Sequence, residues 1–372
     1  MDTRRTPVPR LQACRAPLCP RRRCLDHLGL RLEYRAPLHA YYDRRGARVP
    51  RYRCPTCRST FSRDAFATTY FLKRPELLVP VAAGLVAGAA HRQIARVLGC
   101  APSTVTRLAS RIGRHCQLFL SEALDALTAG LTEPVVLDHF ETFEFSQDLP
   151  FGIATAVGQR SWFVYGIDPA PHRRAGRVTA AQQKRLAGRP RRPRSGGYVG
   201  STRRTLERLE RVSDKPLDLV SDDHPAYRRV LARTDSIQHE IHANPPRGPK
   251  GSPRSATAVR RDRAMFACDL LHGLTRHSMA AHRRETIAFG RRLNSLMLRM
   301  YGFVVWRNFV KRRSERKSVD LTPAMLVGVT DRRWSWAEVF ARRRFPDRYR
   351  LDRHERRLYR QAWTTPVLPS NT

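Results

Sequence analysis

The chain has 372 residues, 41% of them hydrophobic, which is enough for two or three domains and at least one sizeable core. Its 70 lysines and arginines outnumber its 32 aspartates and glutamates and give a formal net charge of +38. A charge of this size favours a polyanionic partner, because each neutralised phosphate releases condensed counterions, and the composition argues against a small secreted scaffold and a membrane protein.

Several features of the chain indicate a reducing, cytosolic location. The longest apolar run, Leu77 to Ala90, contains Pro80 and is shorter than the ~20 residues that a membrane span requires. No apolar segment follows the basic N-terminus, so a signal peptide is not expected. Eight cysteines without a secretory signal are more typical of metal ligands than of a disulfide framework.

Residues 1–70 are predicted to form a small zinc ribbon. Two cysteine pairs flank a segment that is compatible with a β-hairpin, and they are Cys14 with Cys19 and Cys54 with Cys57. Four thiolates in two knuckles suit tetrahedral Zn²⁺, which would stabilise a segment that has little core of its own. The second pair lies on a tight turn in YRCPTC, whereas Cys24 and His27 are close enough to the first pair to compete as ligands. Free structural thiols are the alternative.

Residues 71–128 are predicted to form an all-α helix-turn-helix domain. In HRQIARVLGCAPSTVTRLASRIGRH, apolar residues recur at helical spacing on both sides of Gly99, and Ser103 is the predicted N-cap of the second helix. That helix would enter the major groove of DNA. The residues predicted to contact DNA are Ser103, Thr104, Thr106, Arg107 and Arg111. An ordinary helical hairpin is the alternative.

Residues 129–345 have the pattern of a mixed α/β domain, and a basic tail follows at 346–372. Strand-like apolar stretches occur within 133–168, and a basic insertion is expected near 171–212. A helical pattern then extends from Ala256 to about Phe309. The order of these elements predicts a sheet with flanking helices.

Three acidic residues of this domain are candidate ligands for a catalytic metal. Asp138 closes the apolar run VVL and Asp222 closes LDLVS, so each carboxylate is expected at the end of a buried strand. Glu285 lies on the apolar stripe of the predicted helix, and Arg292 shares its face, where it could contact a phosphate or base. Competing acids are Glu141, Glu144, Asp148 and Asp223. Alternatively, the two aspartates cap strand ends and Glu285 pairs with an arginine.

Together, these three carboxylates could hold two divalent cations, as in enzymes that cleave phosphodiesters. One cation would activate the attacking oxygen and the other would stabilise the leaving oxygen. Mg²⁺, or Mn²⁺ in its place, prefers carboxylate oxygens, so no cysteine or histidine ligand is required. Asp222 is preferred to Asp223 because it follows directly on the apolar strand.

Several motifs give the chain a resemblance to bacterial insertion-sequence transposases of the DDE type. YRCPTCRSTFS resembles the second knuckle of their zinc ribbon, and QIARVLGCAPSTV resembles their helix-turn-helix. SDDHPAYRR resembles the segment around their second catalytic aspartate, with Asp222 and Tyr227 in the aspartate and aromatic positions. HRRETIAFGRR resembles the helix that carries their catalytic glutamate, here Glu285, although its spacing from Asp222 is wide for this motif. TPAMLVGVTDRRWSWAEVF resembles their C-terminal end.

The resemblance covers nearly the whole chain and implies both a fold and a function. The implied fold is a zinc ribbon, a helix-turn-helix and a ribonuclease-H-like α/β catalytic core, in which a mixed sheet has flanking helices. The implied function is binding of element ends and metal-dependent cleavage and strand transfer, catalysed by Asp138, Asp222 and Glu285. Target DNA and further copies of the chain would be partners in the bacterial nucleoid. A non-catalytic DNA-binding regulator and a nuclease without strand transfer are the alternatives.

Overall fold

The structure is a computed structural model, and it describes most of the chain between the two termini. The described residues are 19–22, 24, 37–42, 46, 48–54, 56–127, 130–172, 178–187, 196–213, 215–232, 234–246, 248–249, 251–316 and 319–363. The predicted zinc ligand Cys14 and the competing His27 lie outside these residues, as do much of the basic insertion and the end of the C-terminal tail. Within the described ranges, no helix is both long and apolar enough to cross a membrane.

A small antiparallel sheet lies near the N-terminus. Its strands are adjacent in chain order, and they are β1 (Pro37–Tyr42), β2 (Arg48–Arg53) and β3 (Thr60–Ser62). A 3-10 turn follows, and its Ala65 packs with Phe61 and three cysteines in a separate core. A core this small provides little stability of its own, which agrees with the expectation of a metal site in this region.

Three helices follow, and the second and third are joined by a tight turn. Their bounds are α1 (Leu78–Val86), α2 (His91–Val97) and α3 (Pro102–Asp125). Gly99 lies in the turn with φ +56°, a conformation that glycine adopts without steric cost. The prediction that Ser103 caps α3 is wrong, because Ala101 is the N-cap and Pro102 is the first helical residue. Proline suits that position, since its φ is already helical and its missing N–H has no partner to lose.

A five-stranded mixed sheet forms the centre of the molecule and confirms the predicted α/β class. Its strands are β4 (Val135–Phe143), β5 (Pro150–Gly158), β6 (Val164–Pro171), β7 (Leu217–Ser221) and β8 (Ile237–Ile241). The spatial order is β6-β5-β4-β7-β8. β4, β5 and β6 are antiparallel neighbours, whereas β7 pairs with β4 in parallel and β8 with β7 in parallel. The carboxyl ends of β4 and β7 therefore point the same way.

Further helices flank this sheet. Their bounds are α4 (Ala180–Ala187), α5 (Gly197–Glu210), α6 (Pro225–Leu231), α7 (Ala256–Ser278), α8 (Leu293–Val305), α9 (Pro323–Leu326), α10 (Trp336–Val339) and α11 (Arg353–Tyr359). The continuous helix predicted from Ala256 to about Phe309 is wrong in its middle, because residues 283–292 between α7 and α8 are not helical.

Contacts with the β4–β5 hairpin replace helical hydrogen bonds in this interruption. The Phe145 N–H donates to the Gly290 carbonyl at 2.8 Å. The Leu293 N–H donates to Glu144 Oε2, also at 2.8 Å, so that Glu144 satisfies one of the free N–H groups at the start of α8. Apolar periodicity within 256–309 could not reveal these partners, since they lie more than a hundred residues earlier in the chain.

The helices α1–α3 and the central sheet share one hydrophobic core. This core includes residues from Leu77 to Trp363, and α8 packs against both α3 and β6. Gly113 of α3 lies so close to α8 that a Cβ atom there would be 2.5 Å from Leu298 Cβ. The helices that carry the predicted DNA contacts are therefore packed directly onto the sheet.

Candidate functional site

Four cysteines form a candidate metal site beside the small sheet. The Sγ atoms of Cys19, Cys24, Cys54 and Cys57 all lie within 4.8 Å of one another. Cys19 Sγ is 3.6 Å from Cys57 Sγ, and Cys24 Sγ is 3.7 Å from Cys54 Sγ. Four thiolates gathered in this way can bind a tetrahedral metal ion such as Zn²⁺.

The membership of this cluster differs from the predicted ligand set in one residue. Three predicted ligands are present, namely Cys19, Cys54 and Cys57. Cys24 is the fourth member, in place of Cys14, which lies outside the described residues. A turn in which the Cys24 N–H donates to the Arg21 carbonyl at 3.0 Å brings Cys24 into the cluster. The first knuckle is therefore Cys19-x4-Cys24.

Asp138 and Asp222 lie side by side on neighbouring parallel strands. Leu137 of β4 is in register with Ser221 of β7. Asp222 follows the last residue of β7 as predicted, whereas Asp138 lies within β4, which continues to Phe143, and the prediction that it ends its strand is wrong. Burial and the charge of Asp222 raise the pKa of Asp138 to about 7. Among the described residues, neither carboxylate forms an ion pair with a lysine or arginine. The sheet thus brings two carboxylates together without neutralising them.

Hydrogen bonds orient the side chain of Asp138. Its Oδ1 accepts from the His139 N–H at 2.7 Å and lies 3.5 Å from the Tyr227 hydroxyl. Its Oδ2 faces His272 of α7, whose Nδ1 is 3.7 Å away. The Asp138 side chain keeps 19% of its exposure, so an ion or a substrate oxygen can reach it.

The histidine beside Asp138 is neutral and presents a lone pair. Thr155 Oγ1 donates to the Asp138 carbonyl at 3.0 Å and lies 2.9 Å from His272 Nε2. Because the single hydroxyl proton is used, Nε2 must carry the ring proton and donate it to Thr155. Burial and the neighbouring Arg276 lower the pKa of His272 to about 3. His272 Nδ1 is therefore unprotonated where it faces Asp138.

Asp222 is held by partners from its own side of the sheet. Asn244 Nδ2 donates to its Oδ2 at 3.1 Å, and the His224 N–H donates to its Oδ1 at 3.2 Å. The neighbouring Asp223 instead forms an ion pair with Arg228 of α6. This arrangement favours Asp222 over Asp223 as the partner of Asp138.

A buried histidine fixes the tyrosine that contacts Asp138. His139 Nδ1 lies 2.7 Å from the Tyr227 hydroxyl, and its Nε2 lies 2.7 Å from Ser201 Oγ. Burial lowers the pKa of His139 well below its usual value, so the ring is neutral. His139, Tyr227 and Ser201 therefore form a support behind the two carboxylates rather than a second charged site.

The competing acids near β4 have other partners. Glu144 caps the start of α8, and Glu141 Oε2 lies 3.1 Å from His172 Nε2. Asp148 is buried in the hairpin between β4 and β5. None of these contacts brings the three acids to Asp222.

Glu285 lies elsewhere in the molecule. It is exposed in the non-helical segment 283–292 and lines a cavity beside α2, together with Arg292. In the described part of the chain, the cysteine cluster is the group of three or more metal-binding side chains whose ligand atoms all lie within 4.8 Å, so the three predicted acids do not form one. The placement of Glu285 on a buried helix was wrong because the helix is interrupted there.

The helix that does face the aspartates is α7, and it carries two residues that the sequence analysis missed. α7 packs against β4, β5 and β7. Its Asp269 contributes to the raised pKa of Asp138, after burial and Asp222, and its His272 faces Asp138 Oδ2. Asp269 forms an ion pair with Arg261, which lies about two turns earlier on the same helix. The available signal was the polar pair Asp269 and His272 at i, i+3 on a helix that also buries Cys268.

The predicted DNA-contacting residues of α3 fall into two groups. Ser103, Thr106 and Arg107 are exposed and Thr104 is half-buried. Arg111 is different, since its guanidinium donates to the carbonyls of Thr68 and Tyr70, both at 2.7 Å. It ties α3 to the segment before α1, and the prediction that it contacts DNA is not supported by this position.

The geometry thus contains a cysteine cluster, a pair of half-buried carboxylates beside α7, and an exposed polar start of α3. These three features lie in separate parts of one chain. No protein-family model matches the sequence, and no curated protein matches it, so the assignment of a function depends on these residues alone.

Proposed function

We propose that the protein is a DNA transposase of the DDE type, which binds the ends of an insertion sequence and catalyses metal-dependent strand cleavage and strand transfer. The observation that carries the proposal is the pairing of Asp138 and Asp222 on adjacent parallel strands, with no lysine or arginine paired to either one among the described residues. Buried carboxylates that are left without a counter-charge are costly unless a cation is supplied from outside the chain.

The sheet agrees with the ribonuclease-H-like core that the sequence resemblance implies. The first strand of the core, β4, carries Asp138, and two antiparallel strands follow it. The strand that returns parallel to β4 ends at Asp222. In this interpretation, α7 supplies the third carboxylate, Asp269, in the role that the sequence motif suggested for Glu285.

The donor set fits a hard divalent cation such as Mg²⁺ or Mn²⁺. Asp138 and Asp222 offer carboxylate oxygens that no arginine or lysine of the described chain occupies, and Asp269 of α7 would add a third by exchanging its partner Arg261 for the ion. When bound, two such ions would activate the attacking oxygen and stabilise the leaving oxygen of a phosphodiester. Zn²⁺ would be held separately by the four cysteines, where its role is structural.

The protein groups then have defined roles in the reaction. The backbone N–H of His139 holds the Asp138 carboxylate, with the Tyr227 hydroxyl 3.5 Å away, and Asn244 holds that of Asp222. Water first attacks the phosphorus at the element's end, and the 3′-oxygen leaves with a proton as a free hydroxyl. That hydroxyl next attacks a phosphorus of the target strand, and a target 3′-oxygen leaves. Neither step needs a covalent bond to the protein.

Exposed side chains of α3 would read the DNA. Ser103, Thr106 and Arg107 are available to a major groove at the start of the helix. Basic residues elsewhere would mainly position the phosphate backbone. Further copies of the chain would join on the DNA, since two element ends must be cut and joined together.

The test uses the full-length, zinc-loaded protein and a supercoiled plasmid that carries the DNA flanking its coding sequence. We expect nicking with Mg²⁺ or Mn²⁺ and joining of the cut ends to a second plasmid. Asp138→Asn should retain DNA binding and lose both activities, while Asp218→Asn, an exposed carboxylate on β7, should retain both. Nicking by Asp138→Asn at the wild-type rate would refute the proposal, and nicking without joining would indicate a nuclease.

A non-catalytic DNA-binding regulator is the main alternative. It is favoured by one observation: Asp138, Asp222 and Asp269 do not all lie within 4.8 Å in the described structure, and Asp269 pairs with Arg261. Such a regulator would shift DNA but leave it intact at every Mg²⁺ and Mn²⁺ concentration.

A further inference from the structure

A large cavity lies between α2 and the segment that connects α7 to α8. Its volume is about 1290 Å³, and it is lined on one side by α2 and the start of α3 and on the other by residues 279–292 and the start of α8. Six arginines line it, and they are Arg92, Arg96, Arg283, Arg291, Arg292 and Arg299. We call it the arginine cavity. Glu285 is the single carboxylate among its lining residues.

The charge of the arginine cavity is not neutralised within the described chain. None of its six guanidinium groups forms an ion pair with a carboxylate among the residues that the structure describes. Three less exposed arginines elsewhere are paired: Arg204 and Arg208 with Asp168, and Arg344 with Glu122. A concentration of like charge without counter-charge raises the local potential and attracts anions.

The six arginines of the cavity differ in exposure. Five of the six side chains are exposed, whereas Arg299 is half-buried and donates its Nε–H to the Ser295 carbonyl at 3.1 Å. Burial lowers the pKa of Arg299 to about 10, so it stays charged at neutral pH. His91, on the α2 wall, is neutral because burial and Arg299 lower its pKa to about 4. The positive field therefore comes from the arginines of both walls.

We infer that the arginine cavity binds the phosphate backbone of duplex DNA, beside the exposed residues of α3 that would read the base edges. Guanidinium groups form paired hydrogen bonds with phosphate oxygens, and exposed arginines on two facing walls suit a strand of successive phosphates better than one small anion. Thr106 of α3 also lines the cavity, so the site adjoins the reading helix. The inference rests on the proposed function, since it assumes that DNA is the partner.

The arrangement links the reading helix to the catalytic side of the molecule. One wall belongs to α2, and the other follows directly on α7, which carries Asp269 and His272. A DNA backbone bound between these walls would be positioned by both of them. Glu285 would lie among the phosphates and weaken their binding, which explains its position better than a role as a metal ligand does.

The test is the salt dependence of binding to a random-sequence duplex of ~30 base pairs, without added Mg²⁺ or Mn²⁺. Arg96→Gln and Arg291→Gln each remove one arginine, from the α2 wall and from the loop wall. Each phosphate contact contributes about 0.9 to the slope of log K against log salt, so the double variant should lower the slope by about 2 and the affinity at 0.1 M salt at least ~10-fold. Either single variant should lower the slope by about 1.

A matched control removes the same charge elsewhere. Arg203→Gln with Arg353→Gln alters exposed arginines on α5 and α11 that do not line the cavity, and should leave the slope within about 0.5 of the wild type. An equal fall in this control would mean that only total charge matters and would overturn the inference. So would a fall for Arg96→Gln without one for Arg291→Gln, since the loop wall would then take no part.

The failure of this inference can be told apart from the failure of the proposed function. Plasmid nicking by the wild-type protein, measured in parallel, tests the proposed function independently of the Arg96→Gln/Arg291→Gln variant. An unchanged slope with normal nicking would refute the cavity alone. A lowered slope in a protein that never nicks would support the cavity and refute the transposase.

Discussion

Two aspartates of the same sheet, Asp168 and Asp138, have opposite surroundings. Asp168 on β6 has a fully buried side chain, and it accepts from Arg204 Nε at 3.0 Å and from Arg208 Nη2 at 2.7 Å. Asp138 on β4 is 19% exposed and has a second aspartate and a neutral histidine as its neighbours. Arginines supply the counter-charge for Asp168, whereas no lysine or arginine among the described residues pairs with Asp138.

This difference separates a structural carboxylate from a functional one. Asp168 belongs to a network in which Arg208 also pairs with Asp352 and Glu355 of α11, so it joins the sheet edge to two helices. In the part of the chain that the structure describes, Asp138 links no two elements through an ion pair with lysine or arginine. Two adjacent carboxylates with no lysine or arginine partner among the described residues, in a chain with a net charge of +38, are best explained by a cation that is bound from solution.

The largest expected effect concerns the third carboxylate. Asp269→Asn should lower nicking about 10³-fold or more, because it removes a metal ligand, whereas Glu285→Gln should stay within about 2-fold of the wild type. The measurement is the rate of plasmid nicking at saturating protein. A larger loss of nicking in Glu285→Gln than in Asp269→Asn would indicate that Glu285, and not Asp269 of α7, is the third metal ligand.

The next largest effect is on the stability provided by Asp168. Asp168→Asn leaves Arg204 buried beside an amide and should lower the free energy of unfolding by about 3–5 kcal/mol. Urea denaturation followed by circular dichroism measures this change. Asp218→Asn, exposed on β7, is the control and should stay within about 0.5 kcal/mol. A loss below about 1 kcal/mol for Asp168→Asn would remove the contrast between the two aspartates.

In the metal-free protein, Asp138→Asn should raise the free energy of unfolding, whereas Asp168→Asn lowers it. Folding raises the pKa of Asp138 from 3.8 to about 7, so the folded state binds more protons between these values. The free energy of unfolding therefore decreases as the pH rises from about 4 to about 7. At pH 8, Asp138→Asn should increase it by roughly 1–4 kcal/mol, since one pKa unit corresponds to about 1.4 kcal/mol. A loss of stability at pH 8 would contradict this.

Substitutions in the cysteine cluster are expected to have the smallest effect on the stability of the central sheet. Cys24→Ser should lose the bound zinc, measured by elemental analysis, while Cys14→Ser should keep it. Because the cluster has its own small core, the unfolding of the sheet should change by less than about 1 kcal/mol in both variants. Retention of zinc by Cys24→Ser together with its loss from Cys14→Ser would return Cys14 to the ligand set.

The strands and the aspartate pair were predictable because their signal is local. Apolar runs before Asp138 and Asp222 mark buried strands, and a carboxylate at the end of such a run needs a partner or a metal. That the two strands are parallel neighbours could not be read from the chain, since pairing is decided by the whole sheet.

The errors have a different physical origin. Glu285 was placed on a helix because helical periodicity continues through 283–292, and the contacts that interrupt the helix come from Glu144 and Phe145. Arg111 has the sequence position of a DNA contact, but the carbonyls of Thr68 and Tyr70 hold it. In each case a tertiary hydrogen bond overrides a local pattern.

Direct binding of Mn²⁺ to the zinc-loaded protein tests the central claim most closely, because it asks whether a cation completes the Asp138 and Asp222 pair. Titration followed by electron paramagnetic resonance should show Mn²⁺ bound by the wild type and by Asp218→Asn, and its loss in both Asp138→Asn and Asp222→Asn. Equal binding by all four proteins, or no binding by the wild type, would contradict the account.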